Sequence, residues 1–214
     1  MLTAHCKSSF LLYSGCALLL LSALTGWLPL DPTEAFGFAT GAICVWLITR
    51  GNIWNWPVGL ANNIFFAILF WQTRLYADFG LQAVYFALGC YGWWHWLNGG
   101  DKRDQLPVTH ARKLEWILAA SFLILGTWGL RELLIAVNGA APFWDALTTI
   151  LCLIAQYLLC RKRLGNWYFW IAADLIYVPL YLSRGLPLIA FLYFIFLLLC
   201  LLGIRNWRKE LHSS

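Results

Sequence analysis

The chain has 214 residues, of which 61% are apolar and only 12% charged, and its mean hydropathy is +0.67. Such a composition leaves too little polar surface for a water-soluble globule, so it excludes a soluble domain and points to an integral membrane protein partnered by the lipid bilayer. The formal net charge of +5 does not indicate a nucleic-acid partner, because most Lys and Arg cluster between apolar segments, where they set membrane orientation.

Apolar runs separated by polar punctuation predict an all-α fold with eight transmembrane helices, at 10–30, 36–50, 55–73, 79–97, 114–136, 143–160, 166–182 and 186–205. The first run follows a single Lys7 and continues to about Leu30, longer than the apolar region of a signal peptide, so residues 1–35 are read as an accessory amino-terminal transmembrane helix. Residues 36–97 hold three helices, 98–140 a cytoplasmic loop and a linker helix, and 141–214 three further helices with a cytoplasmic tail. Weaving the chain this way puts twelve Lys and Arg on one side and only Arg74, Arg131 and Arg184 on the other. That asymmetry places both termini in the cytoplasm.

The chain also carries an internal echo. LITRGNIWNW (47–56) aligns with LLCRKRLGNW (158–167), pairing Arg50 with Arg161, Asn55 with Asn166 and Trp56 with Trp167 at a constant offset of 111. The same offset pairs Gly92 with Gly203 and Trp96 with Trp207. Shared loop chemistry at two membrane edges is the alternative, but Arg, Asn, Trp and Gly in register at both ends of a sixty-residue window favour two parallel three-helix repeats joined by one helix. By analogy, this three plus one plus three arrangement is a transporter architecture with a solute site near the midplane.

Polar groups at membrane depth are the candidates for that site. In GNWYFWIAADLIYVPLY, Asp174 lies near mid-span, and Trp167, Trp170, Asp174, Tyr177 and Tyr181 step by three or four residues and share a helix face. An acid between aromatic rings suits a flat organic cation through ion pairing and cation–π contact; the alternative is an acid that only locks helices together. In NWPVGLANNIFFAILF, Asn62 and Phe66 share a face with Asn63 at its edge, and amides can recognise a carboxamide or a sugar hydroxyl. Gln82 and Tyr85 share a stripe of the fourth span and Gln156 sits inside the sixth. The candidate solute-binding residues are Asn62, Asn63, Phe66, Gln82, Tyr85, Gln156, Trp167, Trp170, Asp174 and Tyr177. His95 reads as a titrating gate or a solvated interfacial residue, and Asp145 as a helix cap or a partner of Arg74 or Arg131.

The seven cysteines show no metal spacing and read as packing residues, so neither metal nor cofactor is expected. No phosphate loop, zinc-protease motif or nucleophile elbow is present, which argues against an enzyme or an ATP-driven pump.

Taken together, WPVGLANNIFFAILFWQTRLYAD, LQAVYFALGCYGWWHW, PFWD and NWYFWIAADLIYVPLY resemble the PnuC family of bacterial vitamin transporters over residues 36–207. The resemblance implies a SWEET-like three plus one plus three fold in the bacterial inner membrane, trimers, and facilitated diffusion of nicotinamide riboside that a cytosolic kinase traps by phosphorylation. It implies that Asn62, Gln82, Trp167, Trp170 and the Asp174 position line the pocket, and that some relatives carry an amide where Asp174 stands. Other branches carry thiamine or riboflavin. An acid suits the cationic nicotinamide riboside or thiamine better than neutral riboflavin. From a different class, a membrane scaffold with buried polar residues would also fit the composition.

Overall fold

A computed structural model describes residues 14–15, 21, 32–72, 74, 76–100, 106–138 and 141–213. The expected first span, 10–30, lies almost wholly outside them. The described chain contains seven helices: α1 (Pro32–Thr49), α2 (Asn55–Gln72), α3 (Tyr76–Asn98), α4 (Lys113–Ala136), α5 (Pro142–Cys160), α6 (Asn166–Ser183) and α7 (Pro187–Ser213). Helices α1, α5 and α7 begin at proline, whose fixed φ and missing N–H suit the first helical position. Helices α4 and α5, and Ile189–His212 within α7, are long and apolar enough to cross a membrane. Of the others, α1 contains the shorter apolar stretch Ala35–Thr49, and α2, α3 and α6 carry the amides, the acid and many of the rings noted above.

The chain divides into two compact units, Met1–Phe86 and Ala87–Ser214. In the first, α1 packs on α2. In the second, α4, α5, α6 and α7 pack each on the next. Its core is built on Ala119, Ile150, Ile154 and Leu158, with Leu123, Leu130 and Phe169 against them.

The offset of 111 reappears as turn chemistry. After α1, Gly51 adopts φ 61°, its N–H bonds to Ile48 O at 2.9 Å and Asn52 N–H to Leu47 O at 3.0 Å. After α5, Lys162 adopts φ 49°, its N–H bonds to Leu159 O at 2.8 Å and Arg163 N–H to Leu158 O at 2.9 Å. Both are left-handed helix endings whose paired bonds satisfy the last carbonyls. The next helix of each set then opens on an asparagine that ties down the turn: Asn55 Nδ2 donates to Asn52 O at 2.7 Å and Asn166 Nδ2 to Arg163 O at 2.6 Å. After the second helix of each set, Arg74 (φ 61°) and Gly185 (φ 72°) again stand at the left-handed position. Helix α7 runs to Ser213, past the expected end of its span at 205, so the expected tail is a continuation of the helix.

Candidate functional site

Asp174 stands two turns into α6 and is 4% exposed. The thiol of Cys200 on α7 donates to its Oδ2 at a sulfur–oxygen distance of 3.6 Å. Among the described residues, no Lys or Arg forms an ion pair with it. Nearer the start of α6, the Trp167 ring meets Trp207 edge-on at 5.4 Å between centroids. Gly203 makes room for it, since a Cβ there would lie 2.4 Å from the Trp167 ring. Nearer the end of α6, Tyr177 and Tyr181 pack on Tyr193 at 4.4 and 5.2 Å. The contacts run 167 to 207, 174 to 200 and 177 to 193, an antiparallel seam of the two helices.

The aromatic and acidic face read from spacing is therefore the face that α6 turns to α7, and Trp170 is half-buried on α6. Sequence reasoning missed the other half of the seam. Tyr193, Cys200, Gly203 and Trp207 lie at helical intervals of three, four or seven residues, a periodicity hidden in an almost uniformly apolar run. The cysteines, expected as packing residues, also make polar contacts. Besides Cys200, Cys44 donates to Asn55 O at 3.4 Å and Cys160 to Leu88 O at 3.1 Å, so three thiols fasten polar groups inside the apolar interior.

In the first unit the neighbouring amides point to different partners. Asn62 Nδ2 donates to Thr40 Oγ1 on α1, and that hydroxyl donates to Phe36 O at 2.7 Å. Phe66 lies over Gly37 of α1, where an added Cβ would meet its ring at 2.2 Å. Asn63 and Gln82 instead border one cavity of about 450 Å³, otherwise walled by apolar groups that include Ile64, Ile68, Trp71 and Phe79. Asn63 is the residue 111 positions before Asp174. Tyr85 on α3 and Gln156 on α5 are half-buried. In the second unit a cavity of about 350 Å³ lies between Trp144 and the Leu175, Ile176, Pro179 and Ser183 side of α6. Neither cavity borders Asp174.

The α5–α6 turn carries a charge cluster that the spacing of polar residues did not reveal. Glu115, 9% exposed in the first turn of α4, pairs with Arg163 at 3.2 Å and Arg161 at 3.3 Å, and accepts from Arg112 N–H at 2.7 Å. Between those arginines, Lys162 reaches Glu210 of α7 at 3.0 Å and lies 5.1 Å over the Trp96 ring. Three consecutive basic residues thus fasten one turn to α4 and to the extended end of α7, which accounts for a buried acid and for a lysine held at positive φ. Asp145 pairs with Arg184 at 3.7 Å, correcting the expected partner; Arg131 binds its neighbour Glu132. His95 stacks on Tyr91 at 5.5 Å.

Residues 31–209 match the family model described as the nicotinamide mononucleotide transporter. The nicotinamide riboside transporter PnuC of Escherichia coli (strain K12) is 28% identical over 202 residues, covering 81% of this chain and 84% of that protein. The riboflavin/roseoflavin transporter RibM of Streptomyces davaonensis is 30% identical over 184 residues, covering 82% and 84%. Among solved structures, the crystal structure of the vitamin B3 transporter PnuC shares the fold with a TM-score of 0.72 at 21% identity, covering 95% of this chain and 90% of that one.

Proposed function

This chain belongs to the nicotinamide mononucleotide transporter family, the PnuC family of membrane vitamin transporters, and on that premise we propose that it carries nicotinamide riboside inward across the bacterial inner membrane. Transport is facilitated diffusion by alternating access, with a cytosolic kinase trapping the product and the chain working as a trimer in the bilayer. The helices form the three plus one plus three arrangement behind an accessory amino-terminal helix, with repeats at 36–97 and 141–214, a loop and linker helix at 98–140, and both termini cytoplasmic. The repeated turn chemistry at an offset of 111 supports the repeats.

The observation that carries the choice of solute is Asp174, a buried acid with a thiol partner and no cation among the described residues. Removing a carboxylate from water is costly unless an opposite charge meets it. A pyridinium solute supplies that charge, with Trp170, Trp167 and Tyr177 as aromatic company on the same helix. Because Asp174 is 4% exposed, the described conformation is read as closed around it, and solute arrives when the α6–α7 face opens. Thiamine, also a flat cation, fits the same acid and is the second reading within the class. The 30% identity to a riboflavin transporter favours a neutral solute, which Asp174 disfavours.

Calorimetric titration of the purified protein with nicotinamide riboside, thiamine and riboflavin tests this reading. Nicotinamide riboside is expected to bind most tightly, and Asp174→Asn to weaken it by about 1.5–3 kcal/mol, the value of a hydrogen bond to a charged group. Unchanged binding in that variant would favour a scaffold role for the buried polar residues.

A further inference from the structure

Relatives of this chain include named carriers of nicotinamide riboside and of riboflavin, one solute cationic and the other neutral. A single scaffold that serves both must set charge preference with few side chains. We propose that Cys200 is a specificity-determining positioning residue: its thiol holds the Asp174 carboxyl in the orientation that accepts a flat organic cation in preference to a neutral vitamin. The inference deepens the reading of Asp174 as the cation-binding acid and rests on it.

Three observations converge. Cys200 is 3% exposed, Asp174 is 4% exposed, and the thiol sulfur lies 3.6 Å from Oδ2, so the two groups meet away from solvent. Gly203, three residues farther along α7, lets the Trp167 ring settle against that helix, and Tyr193 takes Tyr177 and Tyr181, so the seam on both sides of the pair is closely packed. The positions 111 residues earlier are Asn63 and Gly89, an amide and a residue without a side chain. The acid and its thiol therefore occur together in only one of the two helix sets.

The choice of sulfur is physically apt. A thiol is a weak donor, so it can orient a carboxylate without neutralising it, whereas an arginine or lysine at this position would occupy the charge that the solute needs. Without the thiol, the carboxyl rotates more freely about its side-chain torsions, and a cation must restrict it on binding. A neutral solute gains nothing from that carboxylate and is indifferent to the loss.

The test uses the purified full-length protein, titrated calorimetrically with nicotinamide riboside and with its uncharged dihydro form. Cys200→Ala is expected to weaken the cation by about 3- to 10-fold while the neutral form changes by less than about twofold, and Cys200→Ser, which keeps a donor, to restore cation binding to within about twofold. Equal weakening of both ligands by Cys200→Ala, or no change in either, would overturn the proposal, as would failure of the serine variant to restore binding. Asp174→Asn separates the two levels. If it weakens the cation and Cys200→Ala does not, the Asp174 reading stands and the role of Cys200 falls; if the wild-type protein binds no cation, or Asp174→Asn leaves cation binding intact, both fall.

Discussion

A carboxylate that is 4% exposed and met by a thiol bears the desolvation cost of its charge with little compensation from the protein. Such a residue is poorly suited to holding helices together, because an apolar side chain of similar size would do that without the cost. It is well suited to a task in which the countercharge arrives with a ligand. The aromatic residues around it then divide by position. Trp167 is 1% exposed and locked against Trp207, while Trp170 is half-buried on the same helix. Trp170→Ala is expected to lower the affinity for nicotinamide riboside by about 3- to 30-fold, the range of a cation–π contact. Trp54→Ala, at a tryptophan 64% exposed just before α2, should leave it unchanged. Isothermal titration of the two variants checks the difference, and equal losses would remove the reason for choosing this face.

At the scale of the helix, the turns make testable claims about stability. Asn55 and Asn166 are 2% and 0% exposed, and each ties the first turn of its helix to a carbonyl three residues back. Replacing either by alanine removes the side-chain bond while the backbone N–H of the same residue still serves that carbonyl, with an expected loss of about 0.5–1.5 kcal/mol measured as a lowered melting temperature in detergent. Gly203→Ala should cost about 1–3 kcal/mol by overpacking, because its Cβ would enter the Trp167 ring, whereas Gly129→Ala, where an added Cβ meets nothing within 4 Å, should be tolerated.

The helices themselves were largely legible in the sequence. Apolar runs bounded by Gly, Pro and Arg placed α2 within one residue at each end and α6 within one at its end, and the 111 offset anticipated that Asn55 and Asn166 would open equivalent helices. What spacing could not supply was the identity of each face's partner. Asn62 and Asn63 are adjacent, about 100° apart around a helix, and only the fold shows that one bonds to Thr40 while the other borders a cavity with Gln82. Cys200 was illegible for another reason: in a uniformly apolar run a thiol looks like any small hydrophobe until an acid is brought opposite it. The Glu115 cluster joins residues 48 apart in sequence, a separation that no local pattern encodes.

For the whole molecule, the proposed function is that of a passive carrier whose direction comes from metabolism. The excess of Lys and Arg on one side of the expected weave implies a cytoplasmic carboxyl terminus, so a phosphatase reporter active only outside the cytoplasm should be silent when fused after Ser214. A uniporter brings its solute to equilibrium and no further unless the solute is consumed inside. Uptake of labelled nicotinamide riboside by proteoliposomes containing the purified protein, wild type beside Asp174→Asn, tests the central claim most directly. The account predicts that the wild type fills the vesicles to the outside concentration and stops, and that Asp174→Asn slows filling by about tenfold or more at subsaturating solute, in line with roughly 1.4 kcal/mol for each factor of ten. Wild-type uptake no faster than that of empty liposomes, or an Asp174→Asn rate equal to the wild type, would contradict it.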